Sequence, residues 1–325
     1  MRLASVLTPF NDENLALAAQ CGVEDITVRY PGPGLEPLRS FQDRVAARGM
    51  RLAAVEGFLP IEKIKLGRDT DGAELAELAA LVENMGRLGI PILCTNFMAG
   101  TDWVRTRLDV PERGGATVTA FSLCEAENRA RSLNSGSGEI DGTPVSAAEL
   151  WENLGSLLRE IVPVAEKAGV YLAMHPDDPP LSEFRGKARI LNSVDAFERL
   201  VSLVPSPHNG VCFCQGSFAS MGGLDIPATI RRLGKHIRYV HFRDARGDGP
   251  GDFVETFHDN GPTDMAAAMR AYRGIGFDGP IRADHVPRLH GEDDGEPGYT
   301  MKGRLFAWGY IRGLIQASMT PTPGP

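Results

Sequence analysis

Long apolar runs are missing from this sequence of 325 residues. No run reaches the roughly 18–20 apolar residues that a helix needs to cross a bilayer, so a membrane protein is not expected. The segment from Met1 to Phe10 has too short an apolar stretch for a secretory signal peptide. We therefore expect no membrane partner and a cytoplasmic location.

Cysteine is scarce and positive charge is in deficit. The five cysteines are widely spread and odd in number, which favours a reducing compartment over a disulfide framework. The 34 Lys and Arg residues face 42 Asp and Glu residues, which gives a net charge of −8. Because no net positive field attracts phosphate groups, we expect no nucleic-acid partner. A soluble enzyme is the default interpretation.

Turn-forming residues are plentiful, with 37 Gly and 23 Pro in an otherwise globular composition. Short β-rich runs alternate with longer segments of helical periodicity along the whole chain. The predicted strands are Arg2–Leu7, Asp25–Arg29, Arg51–Glu56, Ile90–Asn96, Val170–His175, Gly210–Cys214, Ile237–Phe242 and Pro280–His285. The predicted helices lie near 12–21, 36–48, 72–88, 146–168, 194–204, 225–235, 262–275 and 300–317.

This alternation predicts an α/β protein with the (β/α)8 fold of a TIM barrel, in preference to a doubly wound sheet. We expect a single domain over residues 1–318 and a disordered tail over residues 319–325. The segment of about 99–145 falls outside the alternation, between strands 4 and 5. It is polar and partly rich in Gly and Ser, and we interpret it as an excursion or lid, with a plain surface loop as the alternative.

Chemically active residues occur where the predicted strands end. In a barrel of this kind the carboxyl ends of all strands converge on one mouth. The residues at those ends are Glu56, Asn96, His175, Cys214, His241, Asp284 and His285. Two imidazoles, a thiol and a carboxylate from four different strands (His175, Cys214, His241 and Asp284) would together form a metal site.

Other interpretations of the cysteines and of one glycine-rich loop are weaker. Cys212 precedes Cys214 by two residues and points to the same side of the strand, one layer deeper, so we interpret it as barrel filling. A nucleophilic Cys–His pair built on Cys214 stays open as a rival, and it requires a thiolate that no metal binds. The run 247–251 does not open a helix directly after a strand, which disfavours phosphate binding.

Several polar residues near the mouth are candidate substrate contacts. In the run from His175 to Pro180, three prolines stiffen the turn that carries Asp177 and Asp178. These carboxylates either bind substrate hydroxyls, support the site from behind, or belong to a rigid polar loop. Arg243 suits a substrate carboxylate, although a solvated loop charge is the alternative. Asn96, at the end of strand 4, is a further candidate.

Taken together, these strings resemble the mannonate dehydratase family of metal-dependent TIM barrels related to xylose isomerase. The likeness runs from about residue 50 to about residue 315. It is carried by Asn96-Phe97-Met98, Asp102-Trp103-Val104-Arg105-Thr106, His175-Pro176-Asp177-Asp178-Pro179-Pro180, Phe213-Cys214-Gln215-Gly216-Ser217, His241-Phe242-Arg243-Asp244, Phe257-His258, Thr263-Asp264-Met265, Asp284-His285, Gly298-Tyr299 and Gly303-Arg304. The chain departs from the family at the end of strand 2, which reads Val28-Arg29-Tyr30-Pro31 where a histidine is expected, and in a shorter region between strands 4 and 5.

The resemblance implies a role for each matching residue. It implies that His175, Cys214, His241 and Asp284 hold the metal and that His285 and Tyr299 form the acid/base pair. The implied reaction removes water from D-mannonate to give 2-keto-3-deoxy-D-gluconate in hexuronate catabolism, with Mn²⁺ as the usual ion. The ligand types alone suggest Zn²⁺, and Fe²⁺ and Mg²⁺ are further alternatives. We also expect a homo-oligomer.

The chemistry of such a dehydration needs both a base and an acid. A base removes the proton beside the carboxylate, and an acid protonates the departing hydroxyl. We expect Tyr299 to be the base and His285 the acid, with the reverse assignment left open. Two other functions stay in view, namely a metal-dependent sugar isomerase or epimerase on the same barrel and a non-catalytic barrel that binds sugar acids.

Overall fold

Eight parallel strands, each paired with its neighbours in sequence, close into a barrel when strand 8 pairs with strand 1. A computed structural model of the chain describes residues 1–129, 131–132, 143–292 and 295–319. The barrel strands, numbered 1 to 8, are Arg2–Val6, Asp25–Val28, Arg51–Glu56, Ile92–Thr95, Tyr171–Met174, Asn209–Cys214, Ile237–His241 and Pro280–Ala283. The predicted (β/α)8 barrel is confirmed.

A helix follows each barrel strand and covers the outside of the barrel. These helices are Asp12–Gln20, Leu35–Ala46, Ala73–Leu88, Ala147–Ala168, Val194–Leu203, Ile226–Leu233, Met265–Gly274 and Met301–Met319. The helix Ala147–Ala168 shows how local sequence sets the bounds. Ser146 and Glu149 form a capping box at its start, and Gly169 ends it with a φ of 70°. Its apolar face, including Leu154 and Leu158, is buried against the barrel core.

Several shorter elements were not predicted. Short helices span Glu62–Lys65, Leu123–Arg129 and Gln215–Ser220, and 3₁₀ turns span Arg113–Gly115 and Gly234–His236. A four-stranded antiparallel sheet pairs Ala245–Gly249, Asp252–Glu255, Thr117–Ser122 and Arg107–Pro111 in that order. Two-stranded pairs join Val104–Arg105 to Arg131–Ser132 and Glu183–Phe184 to Lys187–Ala188. We call the four-stranded sheet the accessory sheet.

The accessory sheet lies between two loops that follow barrel strands. One hairpin belongs to the segment after strand 4, and the other belongs to the loop after strand 7. Part of the predicted excursion is therefore paired backbone. The run 247–251, considered above as a phosphate loop, turns the second hairpin at Gly249, whose φ is 140°. Residue 130 and residues 133–142 of the excursion lie outside the described residues.

The barrel interior is filled by a layer of small and medium side chains beneath the mouth. The members of this interior layer are Ala54, Ile92, Cys94, Ala173, Cys212 and Tyr239. The Tyr239 hydroxyl lies 2.6 Å from the Thr27 hydroxyl, which satisfies both buried polar groups. Cys212 is fully buried in this layer.

The described part of the chain contains no helix that is long and apolar enough to cross a membrane. Residues 320–325 of the predicted tail lie outside the described residues. The division into one domain over residues 1–318 and a disordered tail stays a prediction.

Candidate active site

Three of the four predicted metal ligands meet at the carboxyl end of the barrel. One ligand atom from each of His175, Cys214 and His241 lies within 4.8 Å of the other two. The two imidazole ring centres are 5.0 Å apart. These residues belong to strands 5, 6 and 7 or follow them directly, and parallel strands bring such ends to one edge.

Asp284, the fourth predicted ligand, borders this group. Its Oδ2 atom lies 3.6 Å from Cys214 Sγ and 3.7 Å from His241 Nδ1. Two buried guanidinium groups hold the carboxylate. Arg243 Nε donates to Oδ2 at 2.6 Å, and Arg282 Nη2 donates to Oδ1 at 2.7 Å. Asp284 is thus oriented toward the thiol and the imidazole by charge-assisted hydrogen bonds.

The local charges keep the sulfur and the carboxylate ionised. Burial would raise the pKa of Cys214, but Arg243 and His175 hold it well below the usual range. Burial would likewise raise the pKa of Asp284, but neighbouring cationic groups, His285 and Arg282 first, hold it well below the usual range. Burial would lower the pKa of His175, yet the Cys214 thiolate raises it to about 9. The site therefore holds an ionised sulfur and an ionised carboxylate among cationic groups in a water-poor environment.

This donor set fits a divalent transition metal ion. A thiolate, two imidazoles and a carboxylate are the groups that bind such ions, and metal–ligand bonds of about 2.0–2.3 Å bring ligand atoms to separations below roughly 4.6 Å. An ion bound here would displace the proton from each imidazole, so that two neutral rings, a thiolate and a carboxylate become its ligands.

The predicted acid/base residues lie beside these ligands. His285 Nδ1 lies 2.6 Å from Glu255 Oε1, and the Trp103 ring stacks on the imidazole with ring centres 4.0 Å apart. The Tyr299 hydroxyl lies 3.5 Å from Asp284 Oδ1. Gly298, with a φ of 77°, lets the chain return close to His285 before Tyr299. Both side chains are buried and both line the same cavity.

That cavity lies at the barrel mouth and has about 420 Å³ of space, part of it open to solvent. Of the four predicted substrate contacts, Asn96 and Asp178 line it, whereas Asp177 and Arg243 are not among its lining residues. Asp177 Oδ2 accepts the Leu191 amide at 2.7 Å and so braces the loop.

Asn96 and Asp178 also accept hydrogen bonds from other side chains of the protein. Asn96 Oδ1 accepts from Lys65 Nζ at 3.2 Å. Asp178 accepts from Arg105 Nη1 at 2.7 Å and from Arg243 Nη2 at 2.8 Å. Arg243 therefore joins Asp178 to Asp284 from behind the cavity wall, where it orients the site.

The sequence prediction gave no role to several residues that shape the cavity. Arg29 Nη1 donates to Glu56 Oε1 at 2.9 Å, and its guanidinium lies 5.6 Å from the Phe58 ring centre and 5.3 Å from that of Tyr299. Arg282 Nη2 also donates to Glu56, at 2.9 Å. Glu56 and Arg29 were visible in sequence as strand ends, whereas Arg282 lies within strand 8 and carried no such signal.

Comparisons with known proteins identify the family of this chain. The profile of the D-mannonate dehydratase (UxuA) family matches residues 15–135 and 140–321. Mannonate dehydratase 2 of Halalkalibacterium halodurans is 32% identical over 303 residues, which cover 87% of each chain. The crystal structure of mannonate dehydratase from Streptococcus suis serotype 2 superposes with a TM-score of 0.87 at 30% identity, covering 98% of this chain and 93% of that one.

A more distant likeness concerns the fold alone. A xylose isomerase domain protein from Alicyclobacillus acidocaldarius gives a TM-score of 0.64 at 16% identity, covering 98% of this chain and 100% of that one.

His258, close to this site, is buried, and neither ring nitrogen meets a hydrogen-bond partner within the described ranges. Burial lowers its pKa to about 4. The unfolded chain, with a pKa near 6.5, takes up the proton first as the pH falls, so the free energy of unfolding decreases below about pH 6.5. Between pH 6.5 and pH 5 we expect His258 to account for about 2 kcal/mol of this loss.

Urea unfolding of wild type and of His258→Leu at pH 7 and pH 5 measures this contribution. The variant should lose less stability on acidification than wild type by that amount. The same substitution at the exposed residue His290 serves as the control. Equal losses for wild type and His258→Leu would contradict the assignment.

Proposed function

This chain belongs to the mannonate dehydratase family, and on that premise we propose that it removes water from D-mannonate to give 2-keto-3-deoxy-D-gluconate. It is a hydro-lyase that acts on a sugar acid. The observation that carries the proposal is the meeting of two sets of groups at one cavity. His175, Cys214 and His241 have ligand atoms within 4.8 Å of one another. His285 and Tyr299 line the same cavity.

His175, Cys214, His241 and Asp284 would hold a divalent cation, and Mn²⁺ is the ion we propose, with Fe²⁺, Zn²⁺ and Mg²⁺ as alternatives. When bound, such an ion stabilises the negative charge that develops on the substrate carboxylate as the neighbouring proton leaves. The protein's part is to keep the thiolate and the carboxylate ionised, which Arg243 and Arg282 do through the contacts described above.

From the sequence we expect Tyr299 to be the base and His285 the acid. The surroundings of the two residues favour the reverse assignment. The Glu255 carboxylate accepts a hydrogen bond from His285 Nδ1, so in the neutral form of the imidazole the proton stays on Nδ1 and the Nε2 lone pair can take a proton from the substrate. Burial raises the pKa of Tyr299, so its hydroxyl keeps its proton and can donate it. We therefore propose His285 as the base at C2 and Tyr299 as the acid that protonates the departing C3 hydroxyl.

The remaining groups orient the substrate and the reacting residues. Trp103 stacks on His285 and fixes the plane of the imidazole. Asn96 and Asp178 present polar atoms at the cavity wall, where they would meet substrate hydroxyls, while Arg243 and Asp177 act from behind that wall. Arg29 adds a cation at the end of strand 2, where the family resemblance leads us to expect a histidine. We propose that Arg29 contacts the anionic substrate.

The proposal includes a setting for the reaction. The product class fits hexuronate catabolism, with a cytoplasmic enzyme that forms a homo-oligomer. The binding partner in this proposal is a small sugar acid, and nucleic acid has no role in the reaction.

Incubation of the protein with D-mannonate and Mn²⁺ should yield a 2-keto-3-deoxy acid, detected by its chromatographic mobility and mass. Tyr299→Phe and His285→Asn should each lower kcat by roughly 10²–10⁴-fold, because each removes a proton-transfer group. Tyr310→Phe and His290→Asn are matched controls on the outer surface. An epimeric product would instead favour the isomerase or epimerase alternative, and binding without turnover would favour the non-catalytic barrel.

Elemental analysis of protein purified without chelator should find about one transition metal ion per chain, because the four ligands form one site. Cys214→Ala and His241→Ala should each reduce that content sharply, whereas Cys124→Ala, at an exposed thiol, should not. Wild-type metal content in both ligand variants would refute the site.

Arg29→Gln should raise KM for the sugar acid by about tenfold and lower kcat less, because a charge-assisted contact to the substrate is lost. Arg29→Lys should recover part of that loss, since it keeps the charge but not the fork of donors. Steady-state kinetics measure the separate changes in KM and kcat. An unchanged KM in Arg29→Gln would show that Arg29 acts only on Glu56.

A further inference from the structure

Beneath the proposed ligands, two further thiols face His241 from other strands. Cys94 lies on strand 4 and Cys212 on strand 6, and both belong to the interior layer. One ligand atom from each of Cys94, Cys212 and His241 lies within 4.8 Å of the other two. The exposed fractions are 1%, 0% and 1%. The reaction proposed above uses neither of these thiols.

The barrel backbone explains why these side chains meet. Alternate residues of a strand point to the same side, so Cys212 projects into the barrel one step below Cys214. Strand 5 separates strands 4 and 6, and the residue paired with Cys94 on strand 5 is Ala173. Ala173 and Ala54 add only small side chains to the layer that holds the two sulfur atoms.

One of the two thiols borders the cavity. Cys94 and His241 are both among the residues that line it. The ring nitrogens of His241 have different neighbours. Asp284 Oδ2 lies 3.7 Å from Nδ1, and Glu56 Oε2 lies 3.1 Å from Nε2. The imidazole therefore presents one nitrogen on the side of Asp284 and the other on the side of Glu56.

We propose that Cys94, Cys212 and His241 form a second metal site, selective for thiophilic divalent ions such as Zn²⁺ and Cd²⁺. Each thiol loses its proton to solvent when the ion binds, so two thiolates balance the two positive charges. A neutral complex of this kind suits the largely apolar interior layer. Mn²⁺ and Mg²⁺ prefer oxygen ligands and are poorly served by this pair.

The charged groups around His241 are balanced as well. Arg282 Nη2 lies 3.1 Å from His241 Nε2 and would repel an added cation, but Glu56 Oε1 accepts from the same guanidinium at 2.9 Å. Because His241 belongs to both ligand sets, a thiophilic ion in the lower site competes with the upper site for this imidazole. Soft metal ions would thus interfere with the metal that supports turnover.

Cadmium X-ray absorption on the wild-type protein, titrated with CdCl₂, tests the proposal without any substrate. The upper set holds one sulfur and the lower set holds two, so the proposal predicts more than one sulfur ligand per bound ion, on average. A single sulfur per ion would overturn it. The sulfur count does not depend on turnover. Failure of the second metal site can therefore be distinguished from failure of the proposed dehydratase activity.

Substitutions locate the sulfur ligands. Cys94→Ser and Cys212→Ser should each lower the thiolate-to-cadmium charge-transfer absorption by at least one third, because each removes one of the three thiolate ligands and leaves the other interior thiol without its partner. Cys124→Ser, at an exposed thiol, is the matched control and should leave the absorption unchanged. A signal that is unchanged in both interior variants, or that disappears in the control, would refute the site. If either interior variant fails to fold, the number of sulfur ligands per cadmium ion in the wild-type protein decides whether the second site exists.

Discussion

The buried guanidinium of Arg243 is the interaction on which the site depends. It donates to Asp284 at 2.6 Å and to Asp178 at 2.8 Å, and its charge is the first influence that lowers the pKa of Cys214. A charge in the protein interior is tolerable only with such partners. The group also needs room, which Gly216 provides, since a Cβ atom there would lie 2.2 Å from Arg243 Nη1. One cation thus contacts two carboxylates and lowers the pKa of a thiol where little water reaches.

A second buried cation connects the barrel to the accessory sheet. Arg105 bridges Asp178, on the loop after strand 5, and Glu255, on the sheet. Glu255 in turn holds His285. The sheet therefore supports His285, which we propose as an acid/base residue. Removing one partner from such a network leaves an uncompensated buried charge, which costs several kcal/mol.

The barrel was predictable because its pattern repeats eight times and its signals are local. Strand 3 is found at the predicted residues Arg51–Glu56, and the capping box at Ser146 marks the start of a long helix. The accessory sheet was missed because Arg107–Pro111 is half exposed and shows no apolar run. Its partners are also distant in sequence, since Thr117–Ser122 pairs with Asp252–Glu255. Pairing of this kind leaves little trace in either strand alone.

The order of residues along the chain sets which groups stand at the strand ends, and so which residue types can gather at the mouth. His175, Cys214 and His241 follow from that rule, because parallel strands in a closed barrel all end on one side. The direction in which each neighbouring side chain points is set only when the chain is folded. Arg243 faces inward to the carboxylates, Asp177 braces an amide, and Cys94 meets Cys212 across the interior. These outcomes depend on space and on the pairing of buried charges between distant segments, which no local pattern encodes.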